Sequence, residues 1–230
     1  MENTAKPFWQ SGGRYVIELL LMFLGVYAAF MLDNYRSNQE TKQKEKQYLT
    51  LLAKELDTQI GEINTAENLY ARKSDRIGVI IDCFGKAAAK PMLLDTIQKY
   101  SHHFIGNFWS SDFNNTALQA MQTSGGFGLV SDPDLVFSIV SYKNACESSA
   151  GQMQIMLDQL KSSGFSQNIR PYIDYKDFQL NDKRAALNPR FQSEIALLRI
   201  EINSFISVIK RHKEEAQRLK QKLAAYLAKL

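Results

Sequence analysis

The feature that most constrains this chain is an unbroken apolar run from Tyr15 to Leu32, YVIELLLMFLGVYAAFML. Its 18 residues carry one carboxylate, Glu18. At about 1.5 Å of rise per residue, a helix of that length crosses a ~30 Å hydrocarbon layer. Arg14 flanks one end, and Asp33, Asn34, Tyr35 and Arg36 flank the other. Tyr15 and Tyr35 stand where interfacial aromatics belong. The run is read as a transmembrane helix over 15–32, behind an N-terminal tail of residues 1–14. Two other readings exist. A signal peptide could be cleaved after the small-residue site Val26-Tyr27-Ala28, but that cut would fall inside a pattern that continues as one helix. A buried helix of a soluble protein leaves unexplained so uniform a run beside a very polar segment.

An acid inside a membrane helix points to function, because an unpaired charge there is costly. Glu18 lies one turn from the end of the span, so three readings stay open. It reaches the interface or pairs with Arg14; it contacts a partner helix; or it carries ions or protons. Gly25, Ala28 and Ala29 put small residues on the same helix, with Gly25 and Ala29 at i and i+4. Such a face lets another helix approach closely. Glu18, Gly25 and Ala29 are therefore the candidate transmembrane contact.

The rest of the chain is large enough for one domain with a real core. The 230 residues are 45% hydrophobic and 23% charged, which fits neither a disordered chain nor a polytopic membrane protein. Only 5 Pro and 12 Gly punctuate it, leaving room for long helices. A net charge of +4 is too weak to argue for a nucleic-acid partner. Two cysteines, Cys83 and Cys146, exclude a disulfide framework and a Cys-only zinc site.

A polar helical stalk is expected over 33–47, and a helical bundle domain over 48–230. Leu49, Leu52, Leu56, Ile60, Ile63, Ala66, Tyr70, Ile77, Ile80 and Phe84 recur at steps of mostly three and four, the seam of a long amphipathic helix. Lys73 interrupts this seam, and Gly85 with Pro91 ends it. After Pro189 a second seam runs through Phe191, Ile195, Leu198, Ile202, Phe205, Ile209, His212, Ala216, Leu219, Leu223, Tyr226 and Leu230. Its steps alternate strictly between four and three, a heptad pattern. The sequence leaves open whether it packs within the chain or between copies. Between these seams, helices are expected over 91–104 and 115–123, with Asn115 as N-cap. A further helix is capped by Asp132 with Pro133 at its first position, and runs to Gly164. Residues about 165–190 read as an irregular loop, and no segment shows strand alternation. The fold class is all-α: one N-terminal transmembrane helix continuing into an antiparallel, coiled-coil-like bundle. If the two long seams pair antiparallel, basic residues at 36, 42, 44 and 46 meet those at 218, 220, 222 and 229. That collar suits anionic lipid head groups.

Candidate chemistry is sparse. His102 and His103 are adjacent and point about 100° apart on a helix, so they do not form an i, i+4 metal pair. Ser124-Gly125-Gly126-Phe127-Gly128 lacks the Lys-Ser/Thr of a phosphate loop and reads as a turn. Cys83 and Cys146 fall on amphipathic helices as small hydrophobes. His212, on the seam, is the best titratable candidate outside the membrane. No catalytic group, metal site or cofactor site is assigned.

Glu18, Gly25, Ala29 and Asp33-Asn34-Tyr35 resemble a G-E-I-x-L-V-x-x-G-I-x-x-A-L-x-x-N-N-W segment. Ile17 stands for its first glycine and Tyr35 for its tryptophan. Glu45, Tyr48, Leu49, Leu52, Glu55 and Leu56 are similar to an E-x-x-Y-L-x-x-L-x-x-D-L continuation. Thr116, Met121, Ser124, Gly125, Leu129 and Asp132 look like a T-x-x-x-x-L-x-x-G-x-x-x-L-x-x-D block. These motifs typify a domain-of-unknown-function family of bacterial single-pass membrane proteins with a helical domain. The resemblance spans about a third of the chain at scattered positions. It implies architecture and location, and no activity.

The expected function is a membrane-anchored interaction or scaffold subunit without enzymatic activity, set in a bilayer and joined to a protein partner or to copies of itself. Two alternatives are a ligand-sensing bundle and an accessory subunit of an ion-coupled complex that uses Glu18. The expected location is a bacterial inner membrane. Lys6 and Arg14 precede the span, and Arg36, Lys42, Lys44 and Lys46 follow it, a slight lean toward a cytoplasmic bundle.

Overall fold

One helix, α1, runs unbroken from Phe8 to Ala87. Its 80 residues extend about 120 Å. The structure is a computed structural model that describes residues 8–105, 116–162, 164–174, 176–177 and 179–230. The apolar run, the polar stretch after it and the first bundle helix are thus one rod. From Tyr15 to Glu40 every residue of α1 is exposed; the first buried side chain is Glu45. The best 18-residue window of α1 has a mean hydropathy of 2.1 and no share buried against the protein, so the helix is long and apolar enough to cross a membrane.

Three further legs complete an all-α bundle. The chain first comes back down α1 in pieces: α2 (Met92–Tyr100), α3 (His102–Ile105), α4 (Thr116–Thr123) and a 3-10 turn over Gly126–Leu129. Then α5 (Pro133–Ser162) rises and α7 (Pro189–Leu227) descends. Directions follow from the contacts. Tyr70 packs edge-on to Phe205 at 4.6 Å and Phe84 to Phe191 at 6.2 Å, so α7 is antiparallel to α1. Glu45 meets Ser131 and Gln59 meets Tyr142, so α5 is parallel to α1. The result is up-down-up-down, with the second strand broken.

The C-terminal seam packs within the chain. Phe191, Ile195, Leu198, Ile202, Phe205, Ile209, His212, Ala216, Leu219 and Leu223 are all buried. Tyr226 is only partly buried and Leu230 is exposed, because α7 ends before the seam does. The α1 seam differs from the sequence reading in an instructive way. Positions 45, 49, 52, 56, 59, 63, 66, 70, 73, 77, 80, 84 and 87 are buried in a strict alternation of four and three, with Ser74, Gly78 and Cys83 buried beside that line. Gln59 is buried at 3% exposure, while Ile60 lies at the edge of the core. Lys73 is part of the seam at 5% exposure rather than a break in it. Helix α5 obeys the same rule through Leu135, Ile139, Tyr142, Cys146, Ser149, Met153 and Met156. Three helices with 3.5-residue repeats pack as coiled coils do, each seam facing its neighbours.

Capping matches the sequence reading at Asp132, and the structure adds a cap at Asn188. Asp132 Oδ1 accepts from the N–H groups of Asp134 (2.9 Å) and Leu135 (3.3 Å), with Pro133 at the first helical position. Asn188 Oδ1 accepts from Arg190 N–H at 2.9 Å ahead of α7. The expected cap Asn115 lies outside the described residues; Glu55 instead reaches across from α1 and accepts from Ala117 N–H at 2.6 Å. A carboxylate at that helix N-terminus is favourable. The 91–104 helix splits at Ser101 into α2 and α3, and α5 ends at Ser162 rather than Gly164. The 165–190 region is more regular than a loop. It holds α6 (Gly164–Ile169), two 3-10 turns and a minimal hairpin, β1 (Ile173–Asp174) with β2 (Gln179–Leu180). Within the glycine-rich turn, Gly125 has φ +70°, a conformation that L side chains rarely adopt. Gly78 serves packing: a Cβ there would meet the Arg199 guanidinium at 2.7 Å, so the glycine lets that side chain lie across α1.

Candidate functional site

Glu18, Gly25 and Ala29 lie on one stripe of α1. Seven residues turn a helix by about −20° and four by about +40°, so all three share a face. That face is exposed, and a Cβ at Gly25 would meet nothing within 4 Å. The described side chains begin at Tyr15, so pairing of Glu18 with Arg14 lies outside them. Among the described residues none is packed closely enough over the stripe to bury Glu18, Gly25 or Ala29.

His212 has a more crowded setting. It is buried at 1% exposure among Gln59 of α1 and Tyr142 and Cys146 of α5, themselves 3%, 2% and 0% exposed. The Tyr142 hydroxyl donates to Gln59 Oε1 in a short bond. His212 Nε2 stands 3.5 Å from the Tyr142 oxygen and 3.9 Å from Cys146 Sγ, and the two rings stack at 5.4 Å. The phenol has one proton, spent on Gln59, so its oxygen is left to accept; this arrangement suits the Nε2–H tautomer of His212. Burial pushes the His212 pKa down to about 4 and raises that of Tyr142 above the ordinary phenol range. The imidazole is therefore neutral at pH 7. Three helices contribute to one polar layer, and Cys146, expected as a small hydrophobe, is buried but sits beside an imidazole.

A second layer lies two heptads nearer the apolar run of α1. Glu45 accepts from Ser131 N–H at 2.8 Å, from the Ser131 hydroxyl at 3.2 Å and from the Tyr226 hydroxyl at 2.6 Å. This carboxylate joins α1, the start of α5 and the end of α7 in one contact. It also fixes Tyr226 at the foot of the bundle, so α7 returns to the end nearest the apolar run of α1. The basic collar is partly spent on the protein itself: Lys220 pairs with Asp57, Lys222 donates to Ser138 at 2.7 Å, and Arg218 pairs with Glu215 at 3.1 Å.

Sequence reasoning missed Glu45 and Gln59 as core residues and treated Lys73 as an interruption. The signal was present. Extending the four-three rule back from Leu49 lands on Glu45, and applying it strictly past Leu56 selects Gln59 over Ile60.

Lys73 continues the 14-residue series on α1, and desolvation lowers its pKa from 10.5 to about 8. The charged form is thus held at a cost of about 3 kcal/mol. Replacing Lys73 by Met is expected to stabilise the bundle by about 2 kcal/mol at pH 7, read from thermal or denaturant unfolding. A second signature follows from linkage. The unfolded chain binds the proton more tightly, so wild-type stability rises between pH 8 and 10.5, and Lys73→Met removes that rise. A less stable variant would show that the ammonium contributes to the fold.

His102 and His103 stack their rings at 4.0 Å. Among the described residues no three His, Cys, Asp or Glu side chains converge to hold a metal. Outside the core, an open groove of about 510 Å³ runs between α5 and α7, lined by Phe137, Ser138, Tyr142, Arg218, Leu219 and Lys222. Phe137 is 74% exposed there. Comparison of the chain with protein-family models, with curated proteins and with solved structures found no match.

Proposed function

We propose that this chain is a single-pass, membrane-anchored interaction subunit, not an enzyme, in which a helical bundle is held off the bilayer on a rigid stalk. The observation that carries the reading is the unaccompanied stretch of α1 from Tyr15 to Glu40, apolar for its first 18 residues and polar thereafter. A lone helix of this composition in water would expose more apolar surface than soluble monomers tolerate. In a bilayer it is at home. The stalk between Leu32 and Glu45 lifts the bundle about 20 Å from the hydrocarbon edge. The Glu18–Gly25–Ala29 stripe supports contact with another helix in the membrane, and Phe137 supports contact outside it. The resemblance of the anchor to bacterial single-pass proteins favours an inner membrane, and the flanking charges favour a cytoplasmic bundle.

The reading is tested on the expressed full chain. Membranes washed in alkaline carbonate should retain it, with its first residues intact. In mild detergent its protein mass should exceed the 26.2 kDa of one protomer. Glu18→Leu should shift that mass toward the monomer, while Glu18→Gln, whose amide still hydrogen-bonds, should largely keep it. Release by carbonate, or a chain beginning at Ala29, would overturn the anchor; a wild-type monomer would overturn the interaction role.

A further inference from the structure

At the far end of the bundle, positive charge gathers around one aromatic ring. Arg76 places its guanidinium carbon 5.0 Å over the ring of Tyr100 and its Nη1 3.4 Å from the Tyr100 hydroxyl. Lys99 Nζ lies 5.6 Å from the same ring. His103 stands 6.1 Å from Tyr100, with His102 against it. Arg72 is one turn before Arg76 on the same flank of α1. The field is visible on His103. Burial, together with His102, Arg76, Lys73 and Arg72, pushes its pKa down to about 4.

Elsewhere in the bundle, cations find carboxylates. Lys213 reaches Glu67 and Lys220 reaches Asp57, while on α2, one turn before Lys99, Asp95 is taken by Lys183. Among the described residues Arg72, Arg76 and Lys99 form no ion pair. Arg72 gives one N–H to the Asn68 carbonyl at 3.2 Å, and Arg76 gives one to a phenol. A guanidinium has five donors, so most remain to be used. Asp75, the neighbour of Arg76, is exposed and makes no ion pair with a described residue. Like charges held this close repel, and an oxyanion among them converts repulsion into charge-assisted hydrogen bonds. Two guanidiniums, an ammonium, a phenol and an imidazole form a donor set suited to several oxygens on one compact anion.

Position narrows the source. Arg76 lies 44 residues beyond Leu32 on a continuous helix, about 66 Å from the end of the membrane span. Head groups of the bilayer that holds the anchor are out of reach. We propose that Arg72, Arg76, Lys99 and His103, arranged around Tyr100, bind a small soluble oxyanion of the phosphate class. The site is independent of the interaction role and stands on side chains far from the anchor.

The test uses the full chain in uncharged detergent, with calorimetric titration of inorganic phosphate and of glycerol 3-phosphate at constant ionic strength set by sodium chloride. Saturable binding of at least one anion is expected. Arg76→Gln should weaken it at least tenfold, and Arg218→Gln, on the opposite end of the bundle, should leave it unchanged. The His103 imidazole, followed by NMR, should titrate at higher pH when the site is filled, because the anion favours imidazolium. Lys99→Gln, at an exposed position, gives a second reading should Arg76→Gln alter the helical content. Absence of saturation would overturn the proposal, as would equal binding by wild type and both site variants. So would displacement of phosphate by phosphatidylglycerol vesicles, which would assign the cluster to a lipid surface.

Discussion

Ile202→Asp should destabilise the bundle by at least about 4 kcal/mol, enough to abolish its cooperative unfolding transition. Ile202 is fully buried on α7, in the seam that packs against α1. An aspartate there either buries an uncompensated charge or takes up a proton, and in both cases it leaves a cavity where the isoleucine branch was. Leu219→Asp, at 3% exposure in the same seam, should act alike. Lys210→Ala is the matched control. Lys210 is more than half exposed and its nitrogen is 3.9 Å from Glu67, which keeps the closer Lys213 at 2.9 Å. Its loss should cost under about 1 kcal/mol. Circular dichroism melts of the three variants in detergent measure the ordering, and comparable losses at all three would refute the assigned face.

Acidification should produce the second large effect, through His212. The group titrates near 6.5 in the unfolded chain and near 4 in the fold. Above pH 6.5 both states are neutral and the residue contributes no pH dependence. Between 6.5 and 4 only the unfolded state takes up the proton, so stability falls with falling pH, by about 3 kcal/mol over the window. Below 4 both states are charged and the loss is complete. His103 shifts in the same direction and adds to the slope, though it is only partly buried. His212→Leu removes the larger part. It leaves the Tyr142–Gln59 bond in place and should change stability at pH 7 by under about 1.5 kcal/mol. Denaturant unfolding at half-unit pH intervals, wild type against His212→Leu and His103→Gln, separates the two. A wild-type slope that persists in His212→Leu would show that this imidazole is not the group responsible.

The architecture was legible in the sequence where periodicity alone determines it. The seam from Phe191 to Leu223 reads directly as buried positions, because a heptad repeat has one self-consistent face. The cap at Asp132 follows from local chemistry. What escaped was polar and non-local. Ile60 masks Gln59 in the sequence because hydrophobicity carries no information on phase. Helical phase is the stronger constraint: a side chain one position off the seam is turned by about 100° whatever its polarity. The meeting of Gln59, Tyr142, Cys146 and His212 depends on α5 rising beside α1 while α7 descends. No spacing within one helix specifies that. Similarly, Tyr100 and Arg76 come together only because α2 doubles back along α1, and a break at Ser101 sets where His103 lands.

The positions of the two polar layers bear on how α1 and α7 find their alignment. Glu45 and Gln59 are 14 residues apart on α1, and their counterparts Tyr226 and His212 are 14 apart on α7. Between them, Leu52 faces the region of Leu219. Purely apolar heptads would allow the helices to slide by one repeat, about 10 Å, with little penalty. Here a one-repeat slide sets a carboxylate against leucine and strands two phenols. The next offset that matches polar with polar is two repeats away, about 21 Å, and would pull α7 clear of its neighbours over about a third of its length. The bundle thus behaves as a vernier with a single reading. A helix that enters the bundle as one continuous rod needs such a device, since nothing in the stalk itself would stop it from shifting lengthwise against its neighbours.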